Sequence, residues 1–288
     1  MTGPTLTRRQ TQDLLDRHGL RPSKARGQHF LVEPATVARV VRLAGVGPGD
    51  RVVEVGAGLG HLTLGLLGAG ARVRALEVDE RLAGVLAEVT AGADVEVLTL
   101  DAMAADWPAV APGSGWALVA NLPYNVATPL VLQVLERAPG IERLLVMVQR
   151  EVGERLAAGV GNPAYGAVSV KVAYWALART VGRVGPSVFL PPPRVSSVLV
   201  SLVRRPPPAE VGPDRRRWLL RLVGAGFAHR RKMLRRSLAG LVTPEGLEAA
   251  GVRPQARAEE LALQDWARLA ACTEDPDASP PSPRPRPS

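Results

Sequence analysis

The alternation of apolar and polar positions divides the chain into segments that predict an α/β fold. Short apolar runs rich in β-branched residues, typical of strands buried on both faces, occur at 51–55, 71–76, 95–100 and 116–120. Segments with the apolar spacing of helices separate these runs, which favours a doubly wound, mainly parallel sheet. Two later segments, at 174–184 and 197–203, are expected to close the sheet.

The pattern changes at the proline run 206–208, after which helical spacing dominates. We therefore expect an α/β domain at 26–205 and a small C-terminal helical domain at 206–272. Residues 1–25 are polar, and residues 273–288 are rich in Pro, Ser and Asp. Neither end can bury much apolar surface, so we expect a flexible N-terminal segment and a disordered tail.

A glycine-rich loop follows the first predicted strand and opens the next helix. Gly56, Gly58 and Gly60 have the spacing G-x-G-x-G, and His61 stands where the dinucleotide fingerprint requires its third glycine. The loop is therefore typical of a nucleotide site but not of a nicotinamide or flavin site. S-adenosylmethionine fits such a loop, because it needs close backbone approach but has no pyrophosphate to be bound.

Acidic residues end the second and third predicted strands at the same edge of the sheet. Glu77 lies about 20 residues after Gly56, where an open α/β sheet places the carboxylate that binds ribose hydroxyls. Asp101 can accept a hydrogen bond from an adenine amino group. Either acid taken alone would more often be a solvated strand end, but their joint spacing with the glycine loop favours a cofactor site.

The fourth strand leads into Asn121-Leu122-Pro123-Tyr124, a motif suited to holding a flat amino group. The Asn121 side-chain carbonyl and the Leu122 backbone carbonyl can accept both hydrogens of an exocyclic amine, while Tyr124 stacks on the ring. Asn-x-Pro is also ordinary turn chemistry, so the motif gains its weight from the loop and acids before it. The predicted acceptor is adenine N6, with Asn121, Leu122 and Tyr124 as catalytic residues.

Further motifs follow one another in a characteristic order. They are Arg26-Gly27-Gln28-His29-Phe30-Leu31, Val53 to Gly60, Leu76 to Asp79, Asp101-Ala102, Asn121 to Asn125, Gln149 to Val152, Tyr165-Gly166, Phe189-x-Pro191-x-Pro193-x-Val195-x-Ser197 and Arg230 to Leu234. In this order and spacing the chain resembles the ribosomal RNA adenine N6,N6-dimethyltransferase family over nearly its whole length. Thr128-Pro129-Leu130 favours the housekeeping small-subunit branch. The resemblance implies a Rossmann-like class I S-adenosylmethionine-dependent methyltransferase sheet.

The resemblance also implies roles for individual residues. The cofactor S-adenosylmethionine would be contacted by His29, Leu31, Gly56, Glu77, Asp101 and Asn121. Tyr124 and Phe189 would stack on the target base, although Phe189 could instead be a packing residue before the stiff proline loop. His29 stands where asparagine is commoner in the family, and a backbone contact would survive that change.

The implied reaction is the dimethylation of two adjacent adenines in the 3′-terminal hairpin of small-subunit ribosomal RNA, linked to small-subunit biogenesis. Two alternatives stay open. One is a methyltransferase that modifies a large-subunit adenine and confers antibiotic resistance, and the other is a non-catalytic nucleic-acid-binding or assembly factor on the same scaffold. DNA adenine or protein glutamine methylation is remoter, because those enzymes usually carry a second proline where this chain has Leu122.

Charge points to a nucleic-acid partner. The formal net charge is +9, and basic residues cluster late in the chain at Arg230, Arg231, Lys232, Arg235 and Arg236. On a helix these residues would form an RNA-facing ridge, with a solvated basic helix as the rival interpretation.

Cysteine and histidine usage excludes several kinds of chemistry. One cysteine permits no internal disulfide, and four scattered histidines, each expected at the surface or as a cap, show no metal spacing. No apolar stretch is long enough to span a membrane, and nothing resembles a signal peptide. We expect a cytoplasmic monomer without a metal, whose partners are the small ribosomal subunit and its RNA.

Overall fold

The computed structural model describes residues 5–23, 27–208, 211 and 213–277. These residues fall into two compact units. The first contains the described residues up to Ala157 together with Trp175–Pro206, and the second contains Ala158–Tyr174 together with the described residues from Pro207 onward.

A seven-stranded sheet forms the centre of the first unit. The strands in chain order are β1 (Phe30–Leu31), β2 (Arg51–Val55), β3 (Arg72–Glu77), β4 (Val95–Thr99), β5 (Trp116–Asn121), β6 (Ile141–Gln149), β7 (Ala176–Val184), β8 (Phe189–Leu190) and β9 (Ser197–Arg204). The order across the sheet is β4-β3-β2-β5-β6-β9-β7, while β1 and β8 pair separately. Strands β2 to β6 run parallel, and β9 is antiparallel to both of its neighbours. The predicted α/β fold with a mainly parallel sheet is confirmed.

Helices separate the parallel strands along the chain. In the first unit they are α1 (Arg8–Arg17), α2 (Pro34–Ala44), α3 (His61–Gly68), α4 (Glu80–Val89), α5 (Trp107–Val110), α6 (Ala127–Arg137) and α7 (Arg150–Ala157). Val52, Val53 and Leu118 of the central strands are buried, as expected for a parallel sheet covered on both faces.

The strand order creates a crevice at one edge of the sheet. From β2 the chain builds outward through β3 to β4, and then returns to place β5 on the other side of β2. Connections therefore diverge between β2 and β5, and ligands of open α/β sheets bind at such a switch point, beyond the carboxyl ends of the strands. Gly56, Glu77 and Asn121 lie at those ends.

Helix α1 is ordered, although the sequence predicted a flexible segment at 1–25. A capping box starts the helix, in which the Thr7 backbone N–H donates to Oε1 of Gln10 at 2.8 Å. Leu14 and Leu15 pack in a buried cluster with Phe30 from β1. A few apolar residues are enough to dock this short helix, which the mostly polar composition of residues 1–25 did not indicate. Residues 1–4 and 24–26 lie outside the described residues.

Helices make up most of the second unit. They are α8 (Ala167–Trp175, whose last residue falls in the first unit), α9 (Pro213–Ala228), α10 (Leu234–Ser237), α11 (Pro244–Ala249) and α12 (Leu263–Cys272). The sequence placed residues 158–174 in the α/β domain. In the structure the Tyr165 hydroxyl donates to the Leu261 carbonyl at 2.8 Å, and its ring lies edge-on to Phe227. These contacts join residues 158–174 to later residues of the second unit.

The start of the predicted disordered tail also has defined contacts. The Trp218 indole N–H donates to Oγ1 of Thr273 at 2.9 Å, and Arg221 forms ion pairs with Asp275 and Asp277. The described chain is therefore ordered to residue 277. Residues 278–288, on which the rest of that prediction falls, lie outside the described residues.

Candidate active site

A cavity of about 290 Å³ opens at the carboxyl edge of the sheet. The structure brings together every residue predicted to contact the cofactor, since the cavity is lined by His29, Leu31, Gly56, Glu77, Asp101 and Asn121. Leu122 and Tyr124 line it as well. The sequence therefore located this cavity through residues that are far apart along the chain.

The glycine loop brings bare backbone to the cavity wall. Gly56 and Gly58 have φ angles of +71° and +58°, a left-handed conformation that other residues rarely adopt. A Cβ at Gly58 would lie 3.0 Å from the ring of Phe30. A side chain at either position would strain the loop, and so the glycines are needed where a ligand approaches the backbone.

Glu77 is held in place at the end of β3. Its carboxylate accepts hydrogen bonds from the backbone N–H groups of Gly58 (2.8 Å) and Asp79 (3.0 Å). Burial raises the pKa of Glu77, against the opposing effect of these bonds. A carboxylate offers about four acceptor positions, so Glu77 can also accept from two ribose hydroxyls. Its position and free acceptor capacity therefore fit an adenosyl group.

Asp101 lies on the exposed side of the same cavity. Its Oδ1 accepts from the Met103 backbone N–H at 2.8 Å, which fixes the carboxylate after β4. An acceptor at this position suits the amino group of the adenine in a bound cofactor.

Asn121 ends β5, and a contact with His29 orients its amide. Its Nδ2 donates to the His29 backbone carbonyl at 3.0 Å. The side-chain oxygen is thereby assigned to the other side of the amide, where it can accept from a ligand. Any residue at position 29 would supply the same carbonyl, so the unusual histidine leaves this contact intact.

Leu122 follows β5 directly, and the chain turns at residues 124–126. The Leu122 N–H donates to the Met147 carbonyl at 3.1 Å, which holds Leu122 beside β6. The predicted second acceptor, the Leu122 carbonyl, belongs to the next peptide, which joins Leu122 to Pro123. The half-buried Tyr124 follows, and its hydroxyl is 3.0 Å from Oγ of the buried Ser197. Burial raises the pKa of Tyr124, so the ring stays neutral.

Sequence reasoning missed two buried ionisable residues in the cavity wall, Glu54 and His61. Burial raises the pKa of Glu54 to about 8, and Thr63 donates to its Oε2 at 2.6 Å. Burial lowers the pKa of His61 to about 4, which corrects the expectation of a surface or capping histidine. An acid within the apolar run Arg51–Val55 was an available signal for Glu54.

Phe189 does not line the cavity. Its ring is fully buried in a hydrophobic cluster with Leu31, Val37 and Leu199. In the structure Phe189 is a packing residue. Contact with a base would require its ring to leave this cluster. Stacking by Phe189 stays a prediction from the resemblance.

The predicted basic ridge is not a continuous helix. Residues 229–232 form a turn after α9, and only Arg235 and Arg236 lie in α10. Met233 bridges to Arg257, and the Leu234 N–H donates to the Ala256 carbonyl, which redirects the chain between the two helices. The basic side chains from 230 to 236 are nevertheless exposed.

Arg230 differs from the other members of this cluster. It forms a 2.7 Å ion pair with Glu259 and donates to the Pro163 carbonyl at 2.9 Å. A structural role for Arg230 is therefore evident, which leaves Arg231, Lys232, Arg235 and Arg236 as the better candidates for RNA contact.

Within the described ranges, no group of three or more His, Cys, Asp or Glu residues is arranged to hold a metal ion. Among the helices that the structure describes, none is both long and apolar enough to cross a bilayer.

The strand order, with a cavity at the carboxyl ends of the strands, is that of a class I S-adenosylmethionine-dependent methyltransferase. The family profile described as Ribosomal RNA adenine dimethylase matches residues 20–275. The chain belongs to that family, and its methyl donor is S-adenosylmethionine.

Individual relatives agree with this assignment. The chain is 48% identical over 277 residues to Ribosomal RNA small subunit methyltransferase A of Kineococcus radiotolerans, covering 92% of this chain and 91% of the relative. It is 49% identical over 264 residues to the protein of the same name from Streptomyces coelicolor, covering 88% and 91%. Among solved structures, the 23S rRNA methyltransferase ErmE is similar with a TM-score of 0.67 and 28% identity, covering 85% of this chain and 99% of ErmE.

Proposed function

We propose that the protein methylates N6 of two adjacent adenines in the 3′-terminal hairpin of small-subunit ribosomal RNA, forming N6,N6-dimethyladenosine at each. The observation that carries the proposal is the amide of Asn121, fixed by the His29 carbonyl at the wall of the cofactor cavity. The names of the relatives from Kineococcus and Streptomyces support the small subunit as the substrate.

Adenine N6 is a weak nucleophile, because its lone pair is delocalised into the ring. When bound, S-adenosylmethionine supplies an electrophilic sulfonium methyl group. The side-chain oxygen of Asn121 and the backbone carbonyl of Leu122 accept the two N6 hydrogens, which favours a pyramidal amine with its lone pair directed at the cofactor. Positioning then supplies most of the rate acceleration.

The aromatic ring of Tyr124 fixes the plane of the target base. Stacking on an aromatic side chain contributes about 1–3 kcal/mol per base. The hydroxyl group is 3.0 Å from Oγ of Ser197, a contact that anchors the far end of the ring. No strong base is needed, since N6 releases its proton only after methyl transfer has made it cationic.

The cofactor would be held by the acids and glycines of the cavity wall. Glu77 would accept from the ribose hydroxyls and Asp101 from the adenine amino group, while Gly56 and Gly58 allow the ligand to approach the backbone. All four residues line the cavity, and this supports an active enzyme over a non-catalytic assembly factor.

The second unit would contribute RNA contacts through the exposed residues Arg231, Lys232, Arg235 and Arg236. We keep the helical domain as the RNA-contacting part of the chain in this proposal. A cytoplasmic location and a monomeric state stay predictions.

The proposal is tested by methyl transfer to separated ribosomal subunits. Unmodified small and large subunits would be incubated in parallel with the enzyme and labelled S-adenosylmethionine, and the modified nucleotides would be mapped by mass spectrometry. We expect dimethyladenosine at two neighbouring positions in the small subunit. Label confined to the large subunit would refute the proposal and support a reaction like that named for ErmE.

A further inference from the structure

Three separate segments of the first unit meet at His29. The ring of His29 is stacked on that of Tyr124, with the centroids 5.6 Å apart and the planes inclined by 30°. Its Nδ1 lies 2.7 Å from the Pro191 carbonyl, and its own backbone carbonyl accepts from Asn121. The residue thus contacts the amine-binding amide, the base-stacking ring and the proline loop.

The contact with Pro191 determines that Nδ1 of the His29 imidazole carries a hydrogen. A backbone carbonyl can only accept a hydrogen bond, so Nδ1 of His29 must carry the proton that it donates. In the neutral ring this leaves Nε2 unprotonated. The bond fixes the plane of the imidazole, and the fixed imidazole supports one face of Tyr124.

Tyr124 is therefore held by two contacts of different kinds. Its hydroxyl is anchored by Ser197 at the far end of the ring, and the face of the ring rests on His29. The hydroxyl contact alone would allow the ring to rotate about the bond that joins it to Cβ. The imidazole restricts that rotation and leaves the opposite face for a base.

We propose that His29 is a positioning residue whose imidazole holds Tyr124 for base stacking, and that it matters most in the second methyl transfer. The proposal rests on the proposed dimethylation. Before the first transfer, Asn121 and Leu122 can hold N6 through two hydrogens. Afterwards only one N–H remains, so the orientation of the base depends more on the stacked ring.

Two substitutions separate the parts of this role. His29→Ala removes the imidazole but keeps the backbone carbonyl that orients Asn121. His29→Phe keeps an aromatic face for Tyr124 and lacks the donor to Pro191. In single-turnover assays on unmodified small subunits, we expect His29→Ala to slow the second transfer by about 2- to 10-fold more than the first, so that N6-methyladenosine accumulates.

His29→Phe should restore much of the ratio of dimethylated to monomethylated product. The affinity of each variant for S-adenosylmethionine, measured by calorimetry, should stay within about twofold of the parent, because the backbone carbonyl that accepts from Asn121 is preserved. His18→Asn is the matched control, since His18 pairs with Glu88 away from Tyr124, and its product ratio should equal that of the parent.

An equal product ratio in the parent and His29→Ala would overturn the proposal. So would a loss of cofactor affinity in His29→Ala as large as its loss of rate, which would make the imidazole part of the cofactor site. If the parent itself transferred no methyl group to small subunits, the proposed function would fail instead.

A spectroscopic measurement tests the geometry without requiring turnover. In protein with ¹⁵N-labelled histidine, the signal that disappears in His29→Phe should show a protonated Nδ1. The opposite tautomer would contradict the contact with Pro191, and with it the fixed orientation of the ring.

Discussion

Glu54 is an ionisable residue buried within the central sheet. It lies in β2 among apolar residues, and burial raises its pKa to about 8. The Thr63 hydroxyl, which donates to Oε2, opposes the shift, whereas the nearby charge of Glu77 adds to it. The side chain is therefore mainly neutral at physiological pH.

This shift predicts a dependence of stability on pH. The pKa of Glu54 in the folded protein, about 8, lies above its ordinary value of 4.5. The stability that the neutral Glu54 side chain contributes is fully present below pH 4.5. It is lost as the pH rises towards about 8. Glu54→Gln stays neutral and can still accept from Thr63, so its free energy of unfolding should exceed that of the parent at about pH 8 and differ less at about pH 5.

Denaturant unfolding of the ligand-free protein at both pH values measures this effect. Glu80→Gln is the control, because Glu80 is exposed, and its stability difference from the parent should vary little with pH. If the free energy of unfolding of the parent and of Glu54→Gln changed equally with pH, burial would not raise the pKa of Glu54 as described.

Phe189 presents a choice between packing and stacking. Its ring lies in the hydrophobic cluster of the first unit, so we expect Phe189→Leu to lower the free energy of unfolding by about 1 kcal/mol. The rate of methyl transfer, measured well below the melting temperature, should change little. Tyr124→Leu is the comparison, and it should lower kcat/KM because Tyr124 lines the cavity.

A fall in kcat/KM for Phe189→Leu comparable with that of Tyr124→Leu, at retained stability, would instead support stacking on the base.

Residues at strand ends could be predicted from the sequence, because parallel strands bring their carboxyl ends to one edge regardless of the helices between them. Glu77, Asp101 and Asn121 were found in this way. The burial of His61 could not be predicted, because it depends on contact with a helix that lies some 50 residues earlier in the chain.

Helix α1 is the element that covers this histidine. Thr11 donates to the Thr7 carbonyl at 2.8 Å, and its hydroxyl oxygen lies 2.7 Å from Nε2 of His61. A hydroxyl has one hydrogen, so Nε2 of His61 must be the donor to Thr11. Arg8 extends the docking by donating to the Ser187 carbonyl at 2.7 Å.

Acid should loosen α1. Burial lowers the pKa of His61 from its ordinary value of 6.5 to about 4, so the stability associated with the neutral ring is lost as the pH falls through this window. Undocking of α1 would let water reach the protonated ring. Hydrogen exchange of the α1 amides, corrected for intrinsic rates, should show less protection at about pH 5 than at about pH 7.

His61→Asn, which does not titrate in this window, should abolish that difference. Equal protection of α1 at both pH values in the parent protein would contradict the coupling between His61 and the helix.

Elements were predictable where local pattern decides them. Strand β2, Arg51–Val55, has the bounds that the apolar run indicated. Strand β7 begins at Ala176 rather than at 174, because the preceding residues complete α8. The predicted basic helix failed at residues 229–233 because a pairing with Arg257, distant in sequence, redirects the chain there.

On the scale of the whole molecule, the net charge is +9, but the arginines that contribute to it differ in whether they form contacts within the protein. Arg215 donates to the Ala270 carbonyl at the end of α12, and Arg221 pairs with Asp275 and Asp277. Both are engaged within the second unit. Charge clustering in the sequence did not distinguish these residues from those exposed to solvent.

Replacing Arg231, Lys232, Arg235 and Arg236 by glutamine should weaken binding to small-subunit RNA. The slope of log affinity against log salt should decrease by roughly 1 for each phosphate that the variant no longer neutralises. Filter binding across a range of salt concentrations measures both quantities.

The control removes the same charge from the first unit, at the exposed residues Arg9, Arg42, Arg72 and Arg137. Its salt slope should stay closer to that of the parent. Equal effects from the two sets would show that net charge, and not this cluster, determines RNA binding.

In the proposed mechanism, the Asn121 amide positions adenine N6 beside the cofactor. The most direct measurement compares the parent with Asn121→Ala on the same unmodified small subunits, quantifying dimethyladenosine by mass spectrometry and cofactor affinity by calorimetry. We predict that the variant transfers methyl groups roughly 100-fold more slowly or worse, while it keeps its fold and much of its affinity for S-adenosylmethionine. Near-parental transfer by Asn121→Ala would contradict the account.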